Sequence, residues 1–369
     1  MKLRRIEPIA VRLPMRRPVK MAGELVSAAH NVLVRLETQD GIVGWGEAAS
    51  APMMTGETVA SMVRAVNQIA AALSVVEDPR DAQARMHRAL PGNHGAKAAI
   101  DIALHDALGK AAGKPVHELL GGRRRESVPL LWTLATGAEA ADVEEAREKR
   151  RAGYTAFKIK VGIADPATDA ARTAAICGEL HGAELICADA NQGWSRDEAR
   201  RYVREIERLG LTFLEQPVAA NDVDGMAEVA AASRVPVAFD EGVRDADDIR
   251  RHHAARAAAG GSLKAIKLGG LGEVMAAAEL CHSLGMKVNL ACKIAESGIA
   301  AAALLHLAAA VPAAEWGVSP TSHHLEDDLL ASPLRIVNGC ADVPRAAGLG
   351  IEVREKEIER YRIRGQDHN

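Results

Sequence analysis

Thr155-Ala-Phe-Lys-Ile-Lys160 is a short apolar run, and it leads through Val161-Gly-Ile-Ala into the alanine-rich stretch Asp165–Leu180. A run of that length followed by a helical stretch reads as one strand and its returning helix. The same texture recurs. With Thr155 included, runs begin near Val128, Thr155, Glu184, Leu211, Val235, Ser262, Met286 and Ala313, so successive starts differ by 27, 29, 27, 24, 27, 24 and 27 residues. Alternation at that step predicts βα units around a parallel sheet, and eight of them predict a closed (β/α)8 barrel. An open doubly wound sheet shares the alternation. It loses ground because no Gly-x-Gly-x-x-Gly follows the early strands. Ser319–Pro333 shows no amphipathic helix, so the last helix of the barrel is expected to be missing or replaced.

Outward from the barrel, the first fifty residues read as strands. Val32-Leu-Val-Arg-Leu-Glu-Thr alternates, Gln39-Asp-Gly-Ile supplies a hairpin turn, and Val43-Gly-Trp-Gly-Glu returns. Pro14–Ala29 is irregular and polar and reads as a loop. Glu57–Leu120 turns helical, most clearly over Ala96–Lys110, where Ile100, Ala103, Leu104, Ala107 and Leu108 share a face. Gly121-Gly122 and Arg123–Glu126 mark a boundary. The expected division is an N-terminal part over 1–125, a barrel over 126–332 and a tail over 333–369. The tail carries Leu334-Arg-Ile-Val and Gly350-Ile-Glu-Val-Arg, and is expected to return to the N-terminal part.

Composition narrows the function classes. Over 369 residues, 46 Lys+Arg stand against 49 Asp+Glu, a net charge of −3, which argues against a nucleic-acid binder. Three Phe, four Trp and three Tyr leave little for a base-stacking surface, so aliphatic side chains must fill the core. Five cysteines with no C-x-x-C pair read as reduced thiols of a cytoplasmic protein. The basic start Met1-Lys-Leu-Arg-Arg-Ile has no apolar run behind it, so no signal peptide is expected. The alanine-rich Ile299–Val311 is too short to span a bilayer and reads as a buried helix.

Chemistry in a parallel barrel gathers at the C-terminal ends of the strands. Asp189, Glu215 and Asp240 end three consecutive runs, 26 and 25 residues apart, so they stand side by side at one rim. Their mutual repulsion would be offset by a hard divalent cation with oxygen ligands, Mg²⁺ or Mn²⁺. Three unrelated acids capping the following helices are the alternative.

Lys158 and Lys160 are two apart on a strand, so both face the interior or its mouth. Lys264 arrives from the opposite side of the ring. Lysines on opposite sides, with a metal between, would address both faces of one substrate carbon while the metal stabilises an enediolate. Burial and nearby positive charge are expected to lower a lysine's pKa and make it a usable base. For Lys264 or Lys267 taken singly, a solvated loop lysine is the alternative. The pairs His252-His253 and His323-His324 read as surface residues. The absence of His-Glu-x-x-His leaves a zinc peptidase without support.

Together these residues resemble the enolase superfamily, specifically the mandelate racemase/muconate lactonizing enzyme family, over essentially the whole chain. The carriers are Gly109-Lys-x4-Pro115-Val-x2-Leu119-Leu-Gly, Lys158-Ile-Lys160, Asp189-Ala-Asn191, Glu215-Gln-Pro217, Asp240-Glu241, and Lys264 ahead of Gly269-Gly270. The resemblance implies an α/β fold, a modified (β/α)7β TIM-like barrel under an α+β capping domain built from both chain ends. It implies Mg²⁺, with Mn²⁺ as the alternative, on Asp189, Glu215 and Asp240. Lys160 and Lys264 would be the acid/base pair, Lys158 would stand beside the substrate carboxylate, and Asn191 and Glu241 would support them. It implies a small-molecule carboxylate substrate and a homo-oligomer, with no nucleic-acid or membrane partner. The Lys-x-Lys motif with an opposing lysine is similar to the muconate lactonizing subgroup.

The departures bear on specificity. Lys293 precedes the family-like Glu296-Ser297, an extra cation at the seventh strand. Glu315-Trp316-Gly-Val-Ser lacks the Asp-x-Asp typical of dipeptide epimerases. Glu24 and His30, in or beside a lid loop, are expected substrate contacts, as are Lys293, Glu296, Trp316 and Glu315. The leading expectation is a Mg²⁺-dependent isomerase working α to a carboxylate, muconate-cycloisomerase-like. The alternatives are racemisation or epimerisation of an amino-acid derivative, an o-succinylbenzoate synthase-like elimination, and a non-catalytic carboxylate-binding barrel.

Overall fold

The computed structural model describes residues 1–364. Its N-terminal part is a three-stranded antiparallel sheet of β1 (Leu3–Met21), β2 (Glu24–Thr38) and β3 (Val43–Ala49). The segment expected as a loop is therefore mostly strand. Pro14 and Pro18 lack the N–H a ladder needs, and the pairing slips between Pro14↔Ala28 and Val19↔Val26 before it resumes. Gly23, with φ +73°, turns the chain at the tip. The result is a long ribbon that ends in a hairpin.

Helix His94–Ala112 lies across β3. The approach is close because Gly44 and Gly46 have no side chain: a Cβ on Gly46 would fall 1.9 Å from the Ala99 carbonyl oxygen. The helix is buried on nearly every side rather than along one stripe. Its other flank meets the barrel, where Asp101 Oδ2 accepts from the Leu271 N–H at 2.6 Å.

β4 (Ser127–Pro129) opens a small separate sheet. The barrel follows as β5 (Leu131–Leu134), β6 (Ala156–Lys160), β7 (Leu185–Asp189), β8 (Phe213–Glu215), β9 (Val237–Phe239), β10 (Gly260–Leu263), β11 (Lys287–Ala291) and β12 (Val318–Ser319). These eight pair in sequence order, all parallel, and a bridge between Leu130 and Val318 brings the ends together. The βα alternation thus yields the expected α/β barrel with an antiparallel cap. Helices follow β5 through β11, while β12 leads directly into the turn Ser322–His324, and the next helix among the described residues is Glu355–Tyr361 in the tail. Their starts are written locally. Ser195 and Glu198 form a reciprocal capping box, and Asp165 caps ahead of Pro166.

Two boundaries move. The first barrel strand begins at Leu131, because Val128 pairs with Ala341 of β14 (Cys340–Asp342), itself paired with β13 (Ile336–Val337). The eighth strand begins at Val318, so Glu315 and Trp316 precede it rather than end it. Trp316 stacks on Phe213 with centroids 4.4 Å apart, in a cluster with Leu131, Ala156, Leu185 and Cys187 that plugs the barrel at the strands' N-terminal ends. The tail reaches the first sheet, where the Ile363 N–H donates to the Ala10 carbonyl at 2.9 Å and Arg362 pairs with Glu7 at 3.0 Å. Among the described residues, no helix is long and apolar enough to cross a membrane.

Candidate active site

Strand register assembles the site. Lys160 of β6 lies beside Asp189 of β7, and Asp189 beside Glu215 of β8. Asp240 follows directly on β9, and Lys264 follows β10. Each acid is drawn onto a lysine. Lys158 Nζ donates to Glu215 Oε2 at 2.5 Å, Lys160 Nζ to Asp189 Oδ2 at 2.6 Å, and Lys264 Nζ to Asp240 Oδ2 at 2.5 Å. Lys160 also donates to Asn191 Oδ1 at 2.7 Å, and Asn191 Nδ2 donates to Glu241 Oε1 at 3.0 Å. The structure therefore brings together all eight residues that the sequence placed at this rim.

Between the acids and the lysines alone, electrostatics run against the expected lowering of the lysine pKa. Burial pulls the Lys264 pKa down, but the carboxylates of Asp240, Glu215 and Glu241 outweigh it and hold the ammonium above the ordinary lysine range. Lys158 behaves alike: burial lowers it, and Glu215 and Asp189 raise it further. The expected lowering omitted these acids. On the other side of the balance, burial raises the Glu215 carboxyl, and the charges of Asp189 and Asp240 raise it again. Glu241 is pushed up to about 7 by burial and by Asp240.

A divalent cation fits this donor set. Three hard carboxylates stand on adjacent strands, and the repulsion of Asp189 and Asp240 adds to burial in raising Glu215. Glu241 Oε2 is buried without a hydrogen-bond partner among the described residues. As the side chains stand, no three described acids, histidines or cysteines are gathered closely enough to enclose an ion, because each acid is turned onto a lysine. Binding would exchange those pairs.

The supporting residues include several to which the sequence assigned no role. Gln216, at φ +36°, accepts through Oε1 from the Asp240 and Gly242 N–H groups at 2.8 and 3.1 Å. Arg172 pairs with Asp142 at 2.7 Å and Asp169 at 3.0 Å, and donates to the Lys160 carbonyl. Lys267, singled out beside Lys264, is buried under the site and bonded to Asp240 and to the Ser262 carbonyl.

A cavity of about 340 Å³ lies over the lysines. The tip of the first hairpin (Met21–Glu24) roofs it with Met53 and Met54, and Thr133, Lys293, Ser319 and Thr321 complete the wall. Glu24 and Lys293 are thus at the cavity, as expected. Four other expected contacts are not. His30 stands within β2 opposite Arg12, since the presumed loop is strand. Glu296 is buried, accepting from the Ala49 and Lys293 N–H groups at 3.3 and 2.9 Å, and so joins β3 to the barrel. Burial and the neighbouring Glu47 push it up to about 7. Trp316 lies at the opposite end of the barrel, and Glu315 pairs there with Lys287 at 3.2 Å. Of the histidine pairs expected at the surface, His253 is exposed, but His252 and His324 are buried and His323 stacks on Trp132. Met21, Met53, Thr133, Ser319 and Thr321 were missed because their places depend on how loops fold over the barrel.

An eight-stranded barrel with lysines facing across a carboxylate rim, roofed by a hairpin from a second sheet, is an enolase-type architecture. Residues 5–121 match the mandelate racemase / muconate lactonizing enzyme N-terminal domain, and residues 141–357 match the enolase C-terminal domain-like family. A chloromuconate cycloisomerase of Cupriavidus pinatubonensis is 36% identical over 364 residues, covering 95% of this chain and 96% of that one. The crystal structure of muconate lactonizing enzyme from Pseudomonas fluorescens complexed with muconolactone superposes with a TM-score of 0.93 at 30% identity, over 98% of this chain and 99% of that one. An N-succinyl Arg/Lys racemase of Bacillus cereus gives 0.92 at 28% identity, over 99% of both chains. The chain belongs to the mandelate racemase / muconate lactonizing enzyme family, and it is an isomerase of that family.

Proposed function

We propose that the protein is a divalent-metal-dependent cycloisomerase of a muconate-like diacid, with Mg²⁺ as the ion. The observation that carries the proposal is the placing of Lys160 and Lys264 at the C-terminal ends of strands β6 and β10, four places apart in a ring of eight, with the carboxylate strands between them. A substrate carbon held in the middle presents one face to each ammonium. The similarity to cycloisomerases supports the choice of reaction.

Asp189, Glu215 and Asp240 would hold the ion, which would offset the negative charge of the substrate carboxylate as a proton leaves or joins the α-carbon. Lys158 would lie beside that carboxylate. Lys264 would act as the acid: once the second carboxylate oxygen has added to the β-carbon, its ammonium would deliver the proton that the neighbouring α-carbon takes up. Asn191 fixes the Lys160 ammonium, and Glu241 fixes Asn191. The hairpin tip, which lines the cavity, would limit the water that reaches the substrate. Five free cysteines, four of them buried, support a reducing cytoplasmic setting, and homo-oligomerisation is proposed from the family resemblance.

Racemisation or epimerisation of an N-acylated amino acid is the second reading, favoured by the retention of a lysine on each side. The test is incubation in D₂O with Mg²⁺, a panel of diacids and N-acyl amino acids being offered. Lactone formation from a muconate supports the first reading, and deuterium at Cα of an amino-acid derivative supports the second. A folded, Mg²⁺-loaded protein inert to the whole panel would count against both and for a non-catalytic carboxylate-binding barrel.

A further inference from the structure

Four lysines line the cavity, and three of them are engaged. Lys158, Lys160 and Lys264 each lie 2.5 or 2.6 Å from a carboxylate oxygen. Lys293 differs. Its ammonium makes no hydrogen bond among the described residues, and the one carboxylate within 4 Å is Glu24, at 3.8 Å. Yet its side chain is only 7% exposed. A buried ammonium without a close counter-charge is costly, and burial duly lowers its pKa. Such a group is retained where a ligand supplies the missing charge.

The backbone holds Lys293 in place from two directions. Its N–H donates to Glu296 Oε2 at 2.9 Å, and its carbonyl accepts from Thr321 Oγ1 at 2.6 Å. Glu24, by contrast, stands on the hairpin tip, with its side chain 31% exposed. The partner that can move is therefore the acid. In the ring of eight strands, β11 is four places from β7, so Lys293 lies across the mouth from Asp189. A ligand anchored by one carboxylate at the acid-lined rim reaches toward Lys293 with its other end.

We propose that Lys293 receives the second anionic group of the substrate, the one not anchored at the acid-lined rim, and that Glu24 covers the ammonium until the substrate displaces it. The proposal rests on the isomerase reading and adds the residue that meets the substrate's second charge. It selects dianionic substrates over monoacids of the same length.

Two probe pairs test it by calorimetry on the Mg²⁺-loaded protein. One is trans,trans-muconate against sorbate, which replaces the second carboxylate by a methyl group. The other is an N-succinyl amino acid against its N-butyryl counterpart. Wild type should prefer the diacid by about tenfold to a hundredfold in at least one pair. Lys293→Met should reduce that ratio to within about threefold, Lys293→Arg should retain most of it, and Glu24→Gln should tighten the diacid. Melting temperatures confirm that each variant is folded. No preference in either pair, or a preference surviving in Lys293→Met, overturns the proposal. Deuterium exchange and turnover, scored in the same solutions, separate it from the reading beneath it. A charge preference without any reaction removes the isomerase reading alone, and reaction without a preference removes this one alone.

Discussion

Gln216 holds Asp240 by its backbone: the Gln216 side-chain oxygen accepts the Asp240 N–H at 2.8 Å and the Gly242 N–H at 3.1 Å. The carboxylate at the end of one strand is thus aimed by a side chain from the strand before. Gln216→Leu would leave two buried donors unpaired, at a cost of about 1–3 kcal/mol each. Urea unfolding should show a combined loss of about 2–6 kcal/mol. Turnover should fall by about tenfold or more, because a small displacement of a positioned group is expensive. Full activity in a destabilised variant would show that Asp240 is aimed by something else.

The opposed lysines should be separable by substitution. Lys160→Ala and Lys264→Ala are each expected to lower turnover by about 10²–10⁴-fold, the usual contribution of a positioned acid or base. Removing divalent ions with a chelator should abolish activity, and Mg²⁺ should restore it. Either variant retaining full activity defeats the assignment of that residue.

Arg172 lies under Lys160, and its charge is met by Asp142 and Asp169 in a fully buried group. Asp142→Ala removes one partner and leaves a buried guanidinium short of compensation. The expected loss is about 3–5 kcal/mol, measured by denaturant titration.

His306 predicts an acid sensitivity. Its Nδ1 accepts from the His117 N–H at 3.2 Å and its Nε2 faces the Leu349 carbonyl at 3.1 Å, so a second ring proton would displace a donor. Burial depresses its pKa from 6.5 to about 4. Between those values the unfolded chain binds the proton and the folded chain does not, so this histidine's contribution to stability is full above pH 6.5 and is lost as pH falls toward 4. The loss is at most about 3 kcal/mol. Glu296, raised to about 7, acts with the opposite sign over nearby pH, so the measurement is the difference between wild type and His306→Gln. A difference that stays flat from pH 7 to 4 defeats the prediction.

The barrel was legible because βα units repeat in sequence and each strand ends on the residue that matters. Asp189, Glu215 and Asp240 needed only their spacing. Trp316 shows where spacing fails. A strand of two residues, Val318–Ser319, leaves no apolar run to find, and an error of a few residues moved a floor residue to the mouth. The lid failed for a related reason. Prolines at 14 and 18 erase the alternation of a strand that is nonetheless paired over most of its length. Gln216 and Arg172 were illegible because their roles lie in bonds to backbone atoms far along the chain, which no local pattern encodes.

The absent eighth helix has its own consequence. Met15 bridges Leu325, and the Pro14 carbonyl accepts from the Glu326 N–H at 2.9 Å. The irregular stretch of the ribbon, between its base and its roofing tip, is therefore fastened to the segment that follows β12. Omitting one helix frees a berth on the barrel's flank, and the first hairpin moors there. The gate of the cavity is thus tied to the end of the same barrel it closes, and a chain that restored the helix would have to find its lid another anchorage.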